Sequence, residues 1–118
     1  MLSPHPTSVG AARRFVRDVL MSRRVADPVV RTVELLTSEL VTNAIIHARS
    51  GTQLAVEIND DSVRVAVRDS SRDLPVRRLH SVDDESGRGV VILEQLARAW
   101  GVEQEPRRGK RVWFEVAC

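Results

Sequence analysis

Three short stretches of this 118-residue sequence carry side chains or backbone suited to chemistry. The first is Glu39-Leu40-Val41-Thr42-Asn43, which sets a carboxylate and a carboxamide four residues apart. On a helix that spacing stacks the two side chains one above the other. On a wheel of about 100° per residue they fall at the border of an apolar stripe, not opposite it. Polar groups at the margin of a core face something specific, because burial without a partner is costly. The second is Asp69, which follows Val63, Val65 and Val67 on the same parity of an alternating run. It points to the buried face where a strand ends, and a carboxylate there needs a partner. The third is Gly87-Arg88-Gly89, directly before an apolar run that begins at Val90. Two glycines opening a helix make an anion site, since free backbone N–H groups and the positive end of the helix dipole meet at one point. Taken singly, each has an ordinary reading as well: boundary polarity for the helix pair and a simple turn for the glycines.

The elements that must position these groups follow from periodicity. Val29, Val33, Leu36, Leu40, Ala44 and Ala48 recur at three- and four-residue steps, which predicts a long helix from Pro28 to about Ala48. Asp27 suits its N-cap and Pro28 its first position. Arg31, Glu34, Ser38 and Thr42 are expected on its solvent side. An earlier helix runs from a Ser8 cap to about Ser22, with Val9, Ala12, Val16, Val19 and Leu20 inward and Phe15 alongside. Residues 23–27 link the two. Leu54, Val56 and Ile58 alternate with polar or small residues, as do Val63, Val65 and Val67, which predicts an antiparallel hairpin turned at Asn59-Asp60-Asp61-Ser62. Residues 70–87 show no periodicity, and long loops in small domains tend to be functional or mobile. A helix from Val90 to about Arg98 follows. A second hairpin joins Trp100–Glu105 to Val112–Val116 across Pro106-Arg107-Arg108-Gly109. The order of elements predicts one α+β domain over residues 1–118, with an extended arm at 1–7. Its helices pack on one face of a mixed, mostly antiparallel sheet, as a two-layer sandwich.

Composition bounds the function. Apolar residues make up 42% of the chain, enough for one globular core. The net charge is +2 from 18 basic and 16 acidic residues, which speaks against direct nucleic-acid binding. All the basic residues but Lys110 are arginines, and no site is read from that bias. No apolar run reaches the length of a membrane span, and the N-terminus lacks the order of a signal peptide, so no membrane and a cytoplasmic location are expected. The single Cys118 excludes an internal disulfide and a cysteine-based metal site. His5, His47 and His80 have no metal-ligand spacing, and His47 falls within the apolar stripe. Trp100, Trp113 and Phe114 are expected in the core and sheet.

Together the three features, in this order and spacing, resemble the ATP-binding domain shared by gyrase, histidine kinases and MutL (the Bergerat fold). Within that superfamily the chain is most similar to the small bacterial anti-sigma-factor serine/threonine kinases and their actinobacterial relatives. The likeness spans about Ser8 to Val116. It includes Ala12-Arg13-Arg14-Phe15-Val16, Ser86-Gly87-Arg88-Gly89 and Gly109-Lys110-Arg111-Val112-Trp113-Phe114-Glu115, with Glu39 to Ala48 its most specific stretch. The resemblance implies ATP or ADP as the nucleotide and Mg²⁺ as the metal. It implies that Asn43 binds the Mg²⁺ through its side-chain oxygen and that Asp69 accepts a hydrogen bond from the adenine amino group. Gly87, Arg88, Gly89 and Val90 would face the phosphates. Glu39 would be the catalytic base, and residues 70–87 the ATP lid. The implied partners are an anti-sigma-factor antagonist, as the protein phosphorylated, and a sigma factor.

The chain departs from that pattern at several points. Ser71 stands where a glycine is usual, Glu85 where some relatives carry an arginine, and Arg111 near the adenine pocket where a threonine is common. Arg88 or Lys110 would then supply the positive charge for the γ-phosphate. A strand that often precedes the first helix is expected to be short or missing, which leaves the adjoining edge open to a partner or to a second copy in a homodimer. Three readings compete: a kinase, a nucleotide-dependent binding module without catalysis, and an interaction domain without nucleotide. The three features favour the first two, and Glu39 favours the kinase, because a pure binding module has no need of a base.

Overall fold

The computed structural model describes residues 7–47, 52–69, 93–105 and 109–118. Helix α1 (Thr7–Ser22) and helix α2 (Asp27–His47) lead into strands β1 (Gln53–Ile58), β2 (Ser62–Asp69), β3 (Ala99–Glu105) and β4 (Gly109–Ala117). The strands form one sheet in the order β1-β2-β4-β3. Every pairing is antiparallel, so no parallel pair makes the sheet mixed among the described residues. Among the described residues the order of the first two helices and the four strands, and the α+β layering, match the expectation from periodicity.

Alternation decides which face of the sheet meets the helices. Leu54, Val56 and Ile58 of β1, Val63, Val65 and Val67 of β2, and Val112, Phe114 and Val116 of β4 all join the core. Ala12, Val16 and Leu20 of α1 and Val33, Leu36, Leu40, Val41 and Ala44 of α2 close over them. Full burial of such side chains is worth about 1.5–3 kcal/mol each, which holds both helices to one face. Phe15 stays 42% exposed, outside the inward face of α1. Glu34 lies on the flank of α2 toward α1, not on its solvent side, and accepts a hydrogen bond from Arg17 Nε at 2.6 Å.

The junctions differ from expectation by a residue or two, for local reasons. The carbonyl of Ala26 accepts from the N–H of Val29 and of Val30, so Ala26 caps α2. Asp27 then stands in the first turn, where its charge complements the helix dipole. The end of α1 is a Schellman motif, in which Val25 N–H donates to Leu20 O at 3.0 Å and Arg24 N–H to Met21 O at 3.0 Å. That motif needs a left-handed residue, and here it is Arg24 with φ 59°. The helix expected to reach Arg98 stops at Leu96 instead. Arg98 N–H donates to Glu115 O at 2.7 Å, and its guanidinium to Glu115 Oε2 at 3.0 Å, which commits this stretch to the sheet. Glu115 in turn raises the Arg98 pKa above its ordinary value, chiefly through the side-chain hydrogen bond.

Strand β4 begins at Gly109, earlier than the expected Val112, and this places Lys110 inside the sheet. Gly109 has φ 95°, a backbone that side chains rarely adopt. On the sheet face away from the helices, Trp113 lies flat across Gly101. A Cβ on Gly101 would come within 2.8 Å of the indole Nε1. The Arg64 guanidinium covers that ring at 4.3 Å from its centroid.

Candidate functional site

One end of the sheet gathers polar residues on the face that is otherwise apolar. Asp69 ends β2 on the parity of Val63, Val65 and Val67, and only 4% of it is exposed. Its partner in register is Lys110, on the parity of Val112 and Phe114. Lys110 Nζ lies 3.8 Å from Asp69 Oδ2, with side-chain exposures of 3% and 2%. Lys110 is itself paired with Gln104 of β3. On the other side, the β1–β2 ladder ends with Gln53 paired to Arg68, and Thr52 is the residue before Gln53, at the same end of the sheet as Asp69. Thr52 is fully buried, and its Oγ1 has no hydrogen-bond partner.

Helix α2 ends five residues before Thr52, which bounds the distance between the end of α2 and the start of β1 at about 18 Å. Asn43 sits one turn before the end of α2 and Glu39 one turn earlier, both half-buried at the border of the apolar stripe. Asn43 Nδ2 is buried without a hydrogen-bond partner. A half-turn about χ2 exchanges that nitrogen with Oδ1, so the position can offer either a donor or an oxygen ligand.

These observations fit a nucleotide with its metal. A buried carboxylate at a strand end suits an amino group, and the unpaired Asn43 amide suits a ligand not supplied by the protein. Among the described residues no cluster of three or more His, Cys, Asp or Glu forms a metal site. A Mg²⁺ held by Asn43 would complete its shell with phosphate oxygens and water, as that ion commonly does.

The structure brings Asp69 and Lys110 together and places Glu39 and Asn43 on one flank of α2. Lys110 cannot serve the γ-phosphate while Asp69 reads the base, because the two are adjacent; its charge belongs to the Asp69 end. Arg111 turns to the opposite face, where its Nη1 meets Glu103 Oε2 at 3.3 Å. Gly87, Arg88, Gly89 and Val90, with the 70–87 segment, residues 1–6 of the expected arm, His5 and His80, lie outside the described residues, as does the side chain of His47; Thr7, expected in the arm, opens α1. Sequence reasoning missed Thr52 and the pairing of Lys110 with Asp69. Both were signalled by parity, since Thr52 precedes Leu54 by two residues and Lys110 precedes Val112 by two.

The profile of the histidine kinase-like ATPase domain family matches residues 2–116, and the chain belongs to this family. It is thus an ATP-binding domain of the histidine kinase-like type. Among solved structures, the histidine kinase domain of the blue-light activated histidine kinase from Erythrobacter litoralis EL346 superposes with a TM-score of 0.57 at 24% identity, over 75% of this chain. That likeness is one of fold, and this chain spans 44% of the matched chain. No curated protein matches the sequence. Among the described residues no helix is long and apolar enough to cross a membrane.

Proposed function

We propose that this chain is a Mg²⁺–ATP-dependent serine/threonine kinase of the anti-sigma-factor type, acting on an anti-sigma-factor antagonist and able to hold a sigma factor. The observation that carries the kinase reading is Glu39, half-buried one helical turn before Asn43 on the same flank of α2. Asp69 takes the adenine amino group at the sheet end, with the Lys110 ammonium beside it. Asn43 offers its side-chain oxygen to Mg²⁺, which when bound would neutralise charge on the phosphates. Glu39 is then within a turn of the phosphate end and distant from the base. There it accepts the proton of a serine or threonine hydroxyl as that oxygen bonds to the γ-phosphorus and the bond to the β,γ-bridging oxygen breaks, releasing ADP. Location in the cytoplasm, absence of direct nucleic-acid contact and a homodimer through an open strand edge belong to the same proposal. The edge strand is β1, which has no neighbour beyond it among the described residues.

A nucleotide-dependent binding module remains the second reading, favoured if phosphotransfer is absent. The test is ATP titration with and without Mg²⁺, followed by single-turnover transfer to candidate partner proteins and to water. Glu39→Ala should keep ATP affinity near wild type while transfer falls by about 10²–10⁴, the usual loss for a general base. Wild-type protein that binds Mg²⁺–ATP and transfers to nothing supports the module. An equally fast Glu39→Ala variant removes Glu39 from the mechanism.

A further inference from the structure

Burying a hydroxyl without a partner is unfavourable, and Thr52 does so at zero exposure. The described residues contain a second such threonine, Thr37, whose Oγ1 is also buried and unpaired. Their places differ. Thr37 lies on the core face of α2 between Leu36 and Leu40, among apolar side chains. Thr52 lies at the polar end of the sheet. Gln53 and Arg68 are the last pair of the β1–β2 ladder, and Thr52 precedes the one as Asp69 follows the other, so both lie at the same end of that ladder. Asp69 is paired across the sheet with Lys110.

An exocyclic amino group on a purine carries two N–H bonds, and one carboxylate oxygen satisfies one of them. Lys110 is a donor only and cannot accept the other. Of Thr52 and Lys110, only Thr52 offers an acceptor.

We propose that Thr52 is a second base-reading residue: its Oγ1 accepts the second N–H of the adenine amino group that Asp69 holds by the first. This rests on the nucleotide-binding reading above and adds to it a specificity determinant on β1. The pair makes the site demand a primary amino group, so a purine lacking it loses two hydrogen bonds. It also gives Thr52 an unusual signature. The hydroxyl is a liability in the ligand-free protein and an asset in the complex, so Thr52→Val should separate stability from binding.

The experiment measures ADP and purine riboside 5′-diphosphate, which lacks the amino group, by calorimetric titration. The proteins are wild type, Thr52→Val, Thr52→Ser and Thr37→Val, with thermal melts of each ligand-free protein. Thr52→Val should melt at or above the wild-type temperature yet bind ADP about tenfold more weakly, the scale of one lost hydrogen bond. It should bind the analogue as wild type does. Thr52→Ser keeps the hydroxyl and should bind ADP within about twofold of wild type, which also covers the case of a Thr52→Val variant that fails to fold. Thr37→Val should leave ADP affinity unchanged. If wild type binds ADP and Thr52→Val binds it equally well, or loses ADP and the analogue by the same factor, Thr52 does not read the amino group. If wild type binds no ADP, the parent reading falls and this one with it.

Discussion

The buried pair of Asp69 and Lys110 gives the sharpest quantitative test of the site. Lys110→Met keeps the long aliphatic stem and removes the ammonium from a carboxylate whose side chain is only 2% exposed. Removing one partner of a buried pair typically costs about 3–5 kcal/mol. With an unfolding entropy of roughly 2.1 cal/mol/K per residue, that lowers Tm by about 12–20 °C. The assay is urea unfolding and thermal melting of wild type and variant at pH 7. Asp69→Leu combined with Lys110→Met removes both charges and should recover most of the loss. A deficit below about 1 kcal/mol at pH 7 would falsify the view that Lys110 compensates a buried carboxylate.

Three further outcomes are expected. Asn43→Ala removes an amide that has no partner in the ligand-free protein, so its melting temperature should hold while Mg²⁺-dependent tightening of ATP binding disappears; tightening that survives would return Asn43 to an ordinary boundary role. Arg24→Gly relieves a left-handed residue at φ 59° in the turn that ends α1. A gain of about 0.5–1 kcal/mol in chemical unfolding is expected, the steric relief being partly offset by glycine entropy. Gly101→Ala drives a methyl toward the Trp113 indole, 2.8 Å from Nε1. The ring must shift from its seat between Gly101 and Arg64, with an overpacking cost of about 1–3 kcal/mol and a change in tryptophan fluorescence.

Much of this protein was determined by sequence pattern alone. The recurrence of Val33, Leu36, Leu40 and Ala44 specifies a helix and its inward face without reference to the rest of the chain. That also places Glu39 and Asn43 at its border. The alternation of Val63, Val65 and Val67 does the same for β2, and parity alone turns Asp69 inward. Such periodicities are local consequences of 3.6 and 2.0 residues per repeat. Cross-strand neighbours are not local. The pairing of Lys110 with Asp69 depends on β4 entering the sheet between β2 and β3, and on β4 beginning at Gly109. That Thr52 and Asp69 lie at one end of the sheet depends on the register of β1 against β2. The helix before β3 stops where it does because Glu115, distant in sequence, takes both the backbone N–H and the guanidinium of Arg98. Local periodicity set the facing of the apolar positions and of Asp69; only the tertiary structure, by closing long loops between strands, decided which side chains would meet, Glu34 and Arg17 among them.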